Sequence, residues 1–343
     1  MPAGYATAHA DADGPANFDD PLSIGVTNAH TCDMSSAGPE PKRGPSRRAV
    51  LIGAGAVALA GAGTGAAFAL RPPAATEQPA EAAETAGRLA TRLLDTPGFT
   101  VAHHGGSRDW PEESLYAYKR SVSAGINALE VSLARSSDGV WFGLHDTTLD
   151  RTSGTFHIEA ADYTWAEINA LRIKPPSTGT PGQATRPYAR FESILDAHAS
   201  THTLFVDPKA ADPSRFGEVF AIIEKRVSAP TESIIAKGYC TSIPWATESR
   251  SRGYRGWGFY YANEIAAEPS LLTDTQDYWS VLGLDYGGAS GQWAGVRSMG
   301  KPVIAHVVPS LEAARAALAL GADGLMLSGV AETVPHLTAG GAQ

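Results

Sequence analysis

The sequence predicts a single-domain α/β fold, an eight-stranded parallel (β/α)8 barrel of the TIM type, and three observations predict it. From Phe99 onward, eight short runs rich in β-branched, aromatic and aliphatic residues recur, separated by amphipathic segments. The stretch that carries this alternation, residues 97–335, is close to the roughly 250 residues of one such barrel. No Gly-x-Gly-x-x-Gly follows the first run, which removes the main signature of a doubly wound open sheet.

Taken in order, the first strand is expected at Phe99 to His103, followed by a helix from Ser114 to Ala124. That helix carries Leu115, Tyr118 and Val122 at helical spacing and stops at Gly125, suited to the left-handed position after a helix. The second strand is Ala128 to Leu133. Asp138-Gly139 then reads as a two-residue turn into the run Val140 to Leu144. Strands three to eight are expected at Leu204 to Lys209, Ile234 to Lys237, Trp257 to Tyr261, Ser280 to Asp285, Val303 to Val307 and Gly324 to Leu327. Helical segments between them include Phe191 to Ala199, Arg215 to Val227 and Leu311 to Leu320. Lys174 to Pro187, rich in Pro, Gly and Thr, reads as a surface loop long enough to be a lid.

The segment ahead of the barrel has a different character. Residues 1–45 are polar and rich in Gly, Pro, Ser and Asp, the composition of a disordered leader. Residues 46–70 begin Ser46-Arg47-Arg48 and continue as an Ala/Gly-rich apolar run, Ala49 to Leu70, which resembles a twin-arginine export signal. Ala67-Phe68-Ala69 fits a small-x-small cleavage site; without cleavage the run is long enough to anchor the chain in a bilayer. Both readings imply the twin-arginine export machinery as a partner and an extracytoplasmic location. Residues 71–96 form a linker and a short helix, Thr85 to Leu94.

A formal net charge of −9 argues against nucleic acid or an anionic membrane surface as partner. Cys32 and Cys240 have no metal-ligand spacing and are not expected to pair, since Cys32 lies in the leader.

The chemistry-bearing residues concentrate between Val101 and Gly154. In a parallel barrel the C-terminal strand ends form the active face, so His103, Glu130 and Asp207 should converge there. A turn centred on Asp138-Gly139 sets Ser132 opposite His145, with Glu130 one diagonal step away. Period two sends Glu130 and Ser132 to one face, and Asp207 and Lys209 to one face. Lys237 and Asp285 end strands facing the same mouth, although no motif supports them. His306 reads as a core residue, and Tyr260 and Tyr261 as packing rather than a box for a cationic head group.

These residues, in this order, resemble the glycerophosphodiester phosphodiesterase family. Its opening His-Arg-Gly is similar to His103-His104-Gly105, its Pro-Glu-Asn to Pro111-Glu112-Glu113, and its Glu-x-Asp to Glu130-Val131-Ser132. Its His-Asp matches His145-Asp146, followed by Leu149-Asp150-Arg151-Thr152; its Glu-x-Lys resembles Asp207-Pro208-Lys209, and its closing Gly-x-Asp-Gly matches Gly321-Ala322-Asp323-Gly324. The resemblance implies hydrolysis of a small-molecule or lipid head-group phosphodiester with a divalent cation, Ca2+ or Mg2+. It implies His103 and His145 as acid and base, Glu130 and Asp207 as metal ligands, and Lys209 and His104 at the phosphate. Asp146 would orient a histidine. Two departures stand out: Ser132 replaces a carboxylate and His104 an arginine, giving up its bidentate fork. Glu112 or water would then complete the metal shell. The resemblance also leaves open a sphingomyelinase-D-like phospholipase, or a degenerate barrel that only binds phosphorylated head groups.

Overall fold

A computed structural model of the chain describes residues 88–339. The expected leader, export segment and most of the linker lie outside the described residues. Eight parallel strands close into a barrel: β1 Phe99–Ala102, β2 Ala128–Arg135, β4 Thr203–Asp207, β5 Ile234–Tyr239, β6 Arg255–Tyr260, β7 Val281–Asp285, β8 Val303–Val308 and β9 Gly324–Leu327. Each pairs with its neighbours in the order β1-β9-β8-β7-β6-β5-β4-β2, and β1 pairing with β2 completes the ring. A short strand β3, Trp141–Gly143, lies antiparallel on β2. Among the described residues no helix is long and apolar enough to cross a membrane.

Period-two alternation gives each strand two jobs. One set of positions, including Phe99, Val101, Ala128, Phe205, Ile235, Trp257, Phe259, Val281, Ile304 and Met326, forms a buried cluster inside the ring. Ala90 and Leu93 of the helix Leu89–Leu94 join the same cluster. The alternate positions, such as Leu129, Val131, Leu204, Val206, Leu282 and Leu325, pack outward against the helices. The interior is filled by pairing large with small. A Cβ at Gly283 would stand 2.6 Å from the Trp257 indole, so this glycine makes the room the tryptophan fills. Above Phe205, Ile235, Trp257 and Ile304, the next inward positions are Asp207, Lys237, Phe259 and His306. The same alternation that builds the core therefore delivers polar groups to the mouth.

The hairpin departs from the expected register. Leu133, Ala134 and Arg135 pair with Gly143, Phe142 and Trp141, and the Leu144 N–H donates to the Ser132 carbonyl at 3.0 Å. Ser132 thus faces Leu144, not His145. The cause is the turn: Gly139 donates to the Ser136 carbonyl and sits at φ +88°, and Ser136 and Val140 close the ladder. Three loop residues with a left-handed glycine replace the two-residue turn and shift the register by one. The first strand also stops earlier than expected, at Ala102, because His103–Gly105 turn into a single 3-10 coil. The helix after it runs Leu115–Ser123, with the Ser114 side chain accepting from the Ala117 N–H, and Gly125 at φ +92° ends it as expected.

Candidate active site

The turn after β1 builds the centre of the site. His104 adopts φ +50°, a left-handed conformation that costs a non-glycine residue about 1–2 kcal/mol. This geometry stacks the His103 and His104 rings, with centroids 3.7 Å apart, and sets the His145 ring 4.7 Å from that of His104. The His104 N–H donates to Glu130 Oε2 at 3.0 Å. Nε2 of His103 and of His104 lie 3.8 and 3.6 Å from the same oxygen. Glu113 and Lys209, at φ +55° and +44°, add two more left-handed non-glycine residues. Strain of this kind concentrates where a site needs it.

Burial holds both His103 and His104 in the neutral form: His103 is pushed down to about 3, with Glu130 opposing, and His104 falls well below the ordinary imidazole value. His104 Nε2 is buried and has no hydrogen-bond partner among the described residues. His306, also lowered by burial to about 4, donates to the Tyr260 carbonyl at 3.1 Å and serves as core.

One turn along the rim, His145 Nδ1 lies 2.9 Å from Asp146 Oδ1. Arg151 then joins Asp146, at 2.8 Å, to Glu112, which it grips with two 2.8 Å hydrogen bonds. Burial would raise the Asp146 carboxyl, but the hydrogen bonds from His145 and Arg151 hold it well below the usual range. Glu112 is therefore committed to Arg151 and does not turn toward Glu130, contrary to the expectation that it fills a metal shell. The carboxyl nearest Ser132 is that of Glu113, which accepts from the Ser132 N–H at 2.9 Å and from the Tyr118 hydroxyl. Burial, then the charge of Glu130, pushes Glu113 well above the usual carboxylate range.

Across the mouth lies a carboxylate–lysine network. Lys237, buried within β5, donates to Asp207 Oδ2 at 2.8 Å and approaches Glu130 Oε1 at 3.0 Å. Lys209 Nζ lies 3.2 Å from Asp207 Oδ2, and its N–H donates to Asp207 Oδ1 at 2.9 Å. Burial opposes every charge here, yet the pairing wins. Lys237, then His103 and Lys209, bring Glu130 down to about 2, and Lys209 and Lys237 hold Asp207 well below the carboxylate range. Lys237 is raised by its two carboxylates despite burial, whereas Lys209 is lowered, burial outweighing Asp207.

His103, His104 and Glu130 present donor atoms all within 4.8 Å of one another, a cluster that could hold a metal ion. As a seat for Ca2+ or Mg2+ the residues do not fit. Such ions take six or more oxygens, and the cluster supplies one carboxylate and two imidazoles. The other expected pair, Glu130 and Asp207, has an ammonium between its oxygens.

Every expected site residue thus lies at one barrel mouth. Two participants carry no expected role. Lys237 could be foreseen only from its inward position at a strand end, and Arg151 only from its place in the Leu-Asp-Arg-Thr run after His145-Asp146. Tyr261 stands at the mouth beside Phe259 and His306, while Tyr260 faces outward and pairs with Thr275.

Comparison with known proteins follows the same lines. Residues 103–212 match the model of the Glycerophosphoryl diester phosphodiesterase family. A relative in Arabidopsis thaliana, the glycerophosphodiester phosphodiesterase GDPD4, is 27% identical over 154 residues, 45% of this chain and 44% of its own. The human glycerophosphodiester phosphodiesterase 1 is 38% identical over 72 residues, 21% of each chain. The matches thus span less than half the length of these relatives. Among solved structures, a phosphodiesterase from Oleispira antarctica in complex with sn-glycerol-3-phosphate superposes with a TM-score of 0.58 at 16% identity, over 71% of this chain and 96% of that one. This likeness establishes the fold. Over residues 103–212 the chain thus resembles the glycerophosphoryl diester phosphodiesterase family in sequence and motif order, on a barrel of the same fold.

Proposed function

We propose that the chain is a phosphodiesterase that hydrolyses glycerophosphodiesters, with His103 and His145 as its proton-transfer pair. The observation that supports this best is the meeting, at one barrel mouth, of a neutral, partly buried imidazole, a carboxylate-backed imidazole and two lysine ammoniums. His103, kept neutral, takes the proton of the attacking hydroxyl. That oxygen, the 2-hydroxyl of the glycerol, bonds to phosphorus as the bond from phosphorus to the other alcohol breaks. His145, held at Nδ1 by Asp146, protonates the departing oxygen. A cyclic glycerophosphate results, and water opens it with the two histidines exchanging roles. Lys209, Lys237 and the unpartnered His104 Nε2 face the non-bridging oxygens, where negative charge builds.

The relative solved with sn-glycerol-3-phosphate supports glycerol as one side of the diester. The paired arginines Arg47-Arg48 support export, so the reading includes an extracytoplasmic enzyme. Release of sn-glycerol 3-phosphate from glycerophosphodiesters by the purified chain tests the activity. A protein that binds such diesters without turning them over contradicts it.

A further inference from the structure

The two carboxylates expected to share a dication share an ammonium. Lys237 Nζ lies 3.0 Å from Glu130 Oε1 and 2.8 Å from Asp207 Oδ2. It also sits over the Phe259 ring at 4.4 Å and the Trp257 ring at 5.6 Å, so both walls of its niche favour a cation. Glu130 is fully buried, and Asp207 and Lys237 are nearly so. In such surroundings charges must balance locally. They do: Glu130 and Asp207 face Lys237 and Lys209, two negative groups against two positive. A dication added here would leave an excess of buried positive charge and would meet an ammonium in the space between the carboxylates. Ser132, whose hydroxyl is 3.5 Å from Glu130 Oε1, supplies no compensating charge.

We infer that Lys237 is the resident cation of this site, excluding Ca2+ and Mg2+, and that hydrolysis proceeds without a divalent metal. The second half rests on the proposed phosphodiesterase reading; the first stands on charge and geometry alone. Calorimetric titration of the chelator-treated, desalted chain with Ca2+ and Mg2+ tests it, beside Lys237→Ala. Lys237→Gln, which keeps a hydrogen-bond donor without the charge, serves if the alanine variant does not fold. Wild type is expected to take up neither ion at millimolar concentration, while either folded variant gains binding of Ca2+ or Mg2+. Diester turnover by wild type should stay within about twofold after chelation, since no metal supplies Lewis acidity. Divalent binding to wild type, chelator-sensitive turnover restored by an added ion, or a folded variant that gains no binding overturns the inference. A wild type that binds no ion and hydrolyses no diester contradicts the proposed activity and leaves the assignment of Lys237 as resident cation standing.

Discussion

His103 and His145 differ in what holds them, and that difference sets their chemistry. His103, partly buried, lies against Glu130 with Ser107 at 3.2 Å from its Nδ1, whereas His145 leans on Asp146. His103→Ala and His145→Ala should each lower kcat/KM by about 100-fold or more, the usual worth of a positioned acid or base. Near-normal turnover in either variant removes that residue from the reaction. Lys209 gives the pH dependence its sign. Burial lowers its affinity for a proton, so its positive charge is present at neutral pH and lost as pH rises through a value below that of free lysine. The alkaline fall in kcat/KM should therefore begin below the range of free lysine and move upward in Lys209→Arg, whose guanidinium does not titrate. Superimposable alkaline limbs in the two proteins would contradict the assignment. Histidines and carboxylates at motif positions were readable from sequence because each sits in a recognisable local run. The pairings of Lys237 and Arg151 were not, because their partners lie on other elements: Glu130 on β2 and Asp207 on β4 for one, Glu112 in the loop after β1 for the other.

At the scale of elements, the strands announce themselves through β-branched and aromatic runs, and their inward positions follow from period two. The hairpin did not, because its register depends on whether Gly139 closes a two- or a three-residue loop, a choice made by backbone conformation rather than by composition. The loop 174–187 is tied down by Thr178 and Gln183, which donate to the carbonyls of Arg108 and Asp109 at 2.7 and 2.6 Å. It thereby rests against the segment that carries the site histidines. Packing inside the barrel offers the sharpest element-level test. Gly283→Ala places a methyl against the Trp257 indole and should cost about 1–3 kcal/mol in chemical denaturation, the usual penalty of overpacking. Arg151→Ala should cost about 1–2 kcal/mol by leaving Glu112 unpaired, discounted because the arginine is half exposed.

For the whole molecule, closure of the ring by β1 and β2 is what brings residues as distant in sequence as His103 and Lys237 to one mouth. The eightfold alternation foretold that closure; the charge balance inside it emerges only once the strands stand side by side. Export belongs to this scale as well. Replacing Arg47 and Arg48 together by lysine should hold the precursor in the cytoplasm, seen by fractionation, whereas unchanged export would remove the twin-arginine reading. The central claim is that this mouth cleaves glycerophosphodiesters through two histidines, and product analysis under single-turnover conditions addresses it most directly. The account predicts that wild type releases sn-glycerol 3-phosphate by way of a transient cyclic glycerophosphate, and that His103→Ala and His145→Ala bind the same diester without forming either. Release of the phosphorylated alcohol in place of glycerol phosphate, or equal product from wild type and both variants, would contradict it.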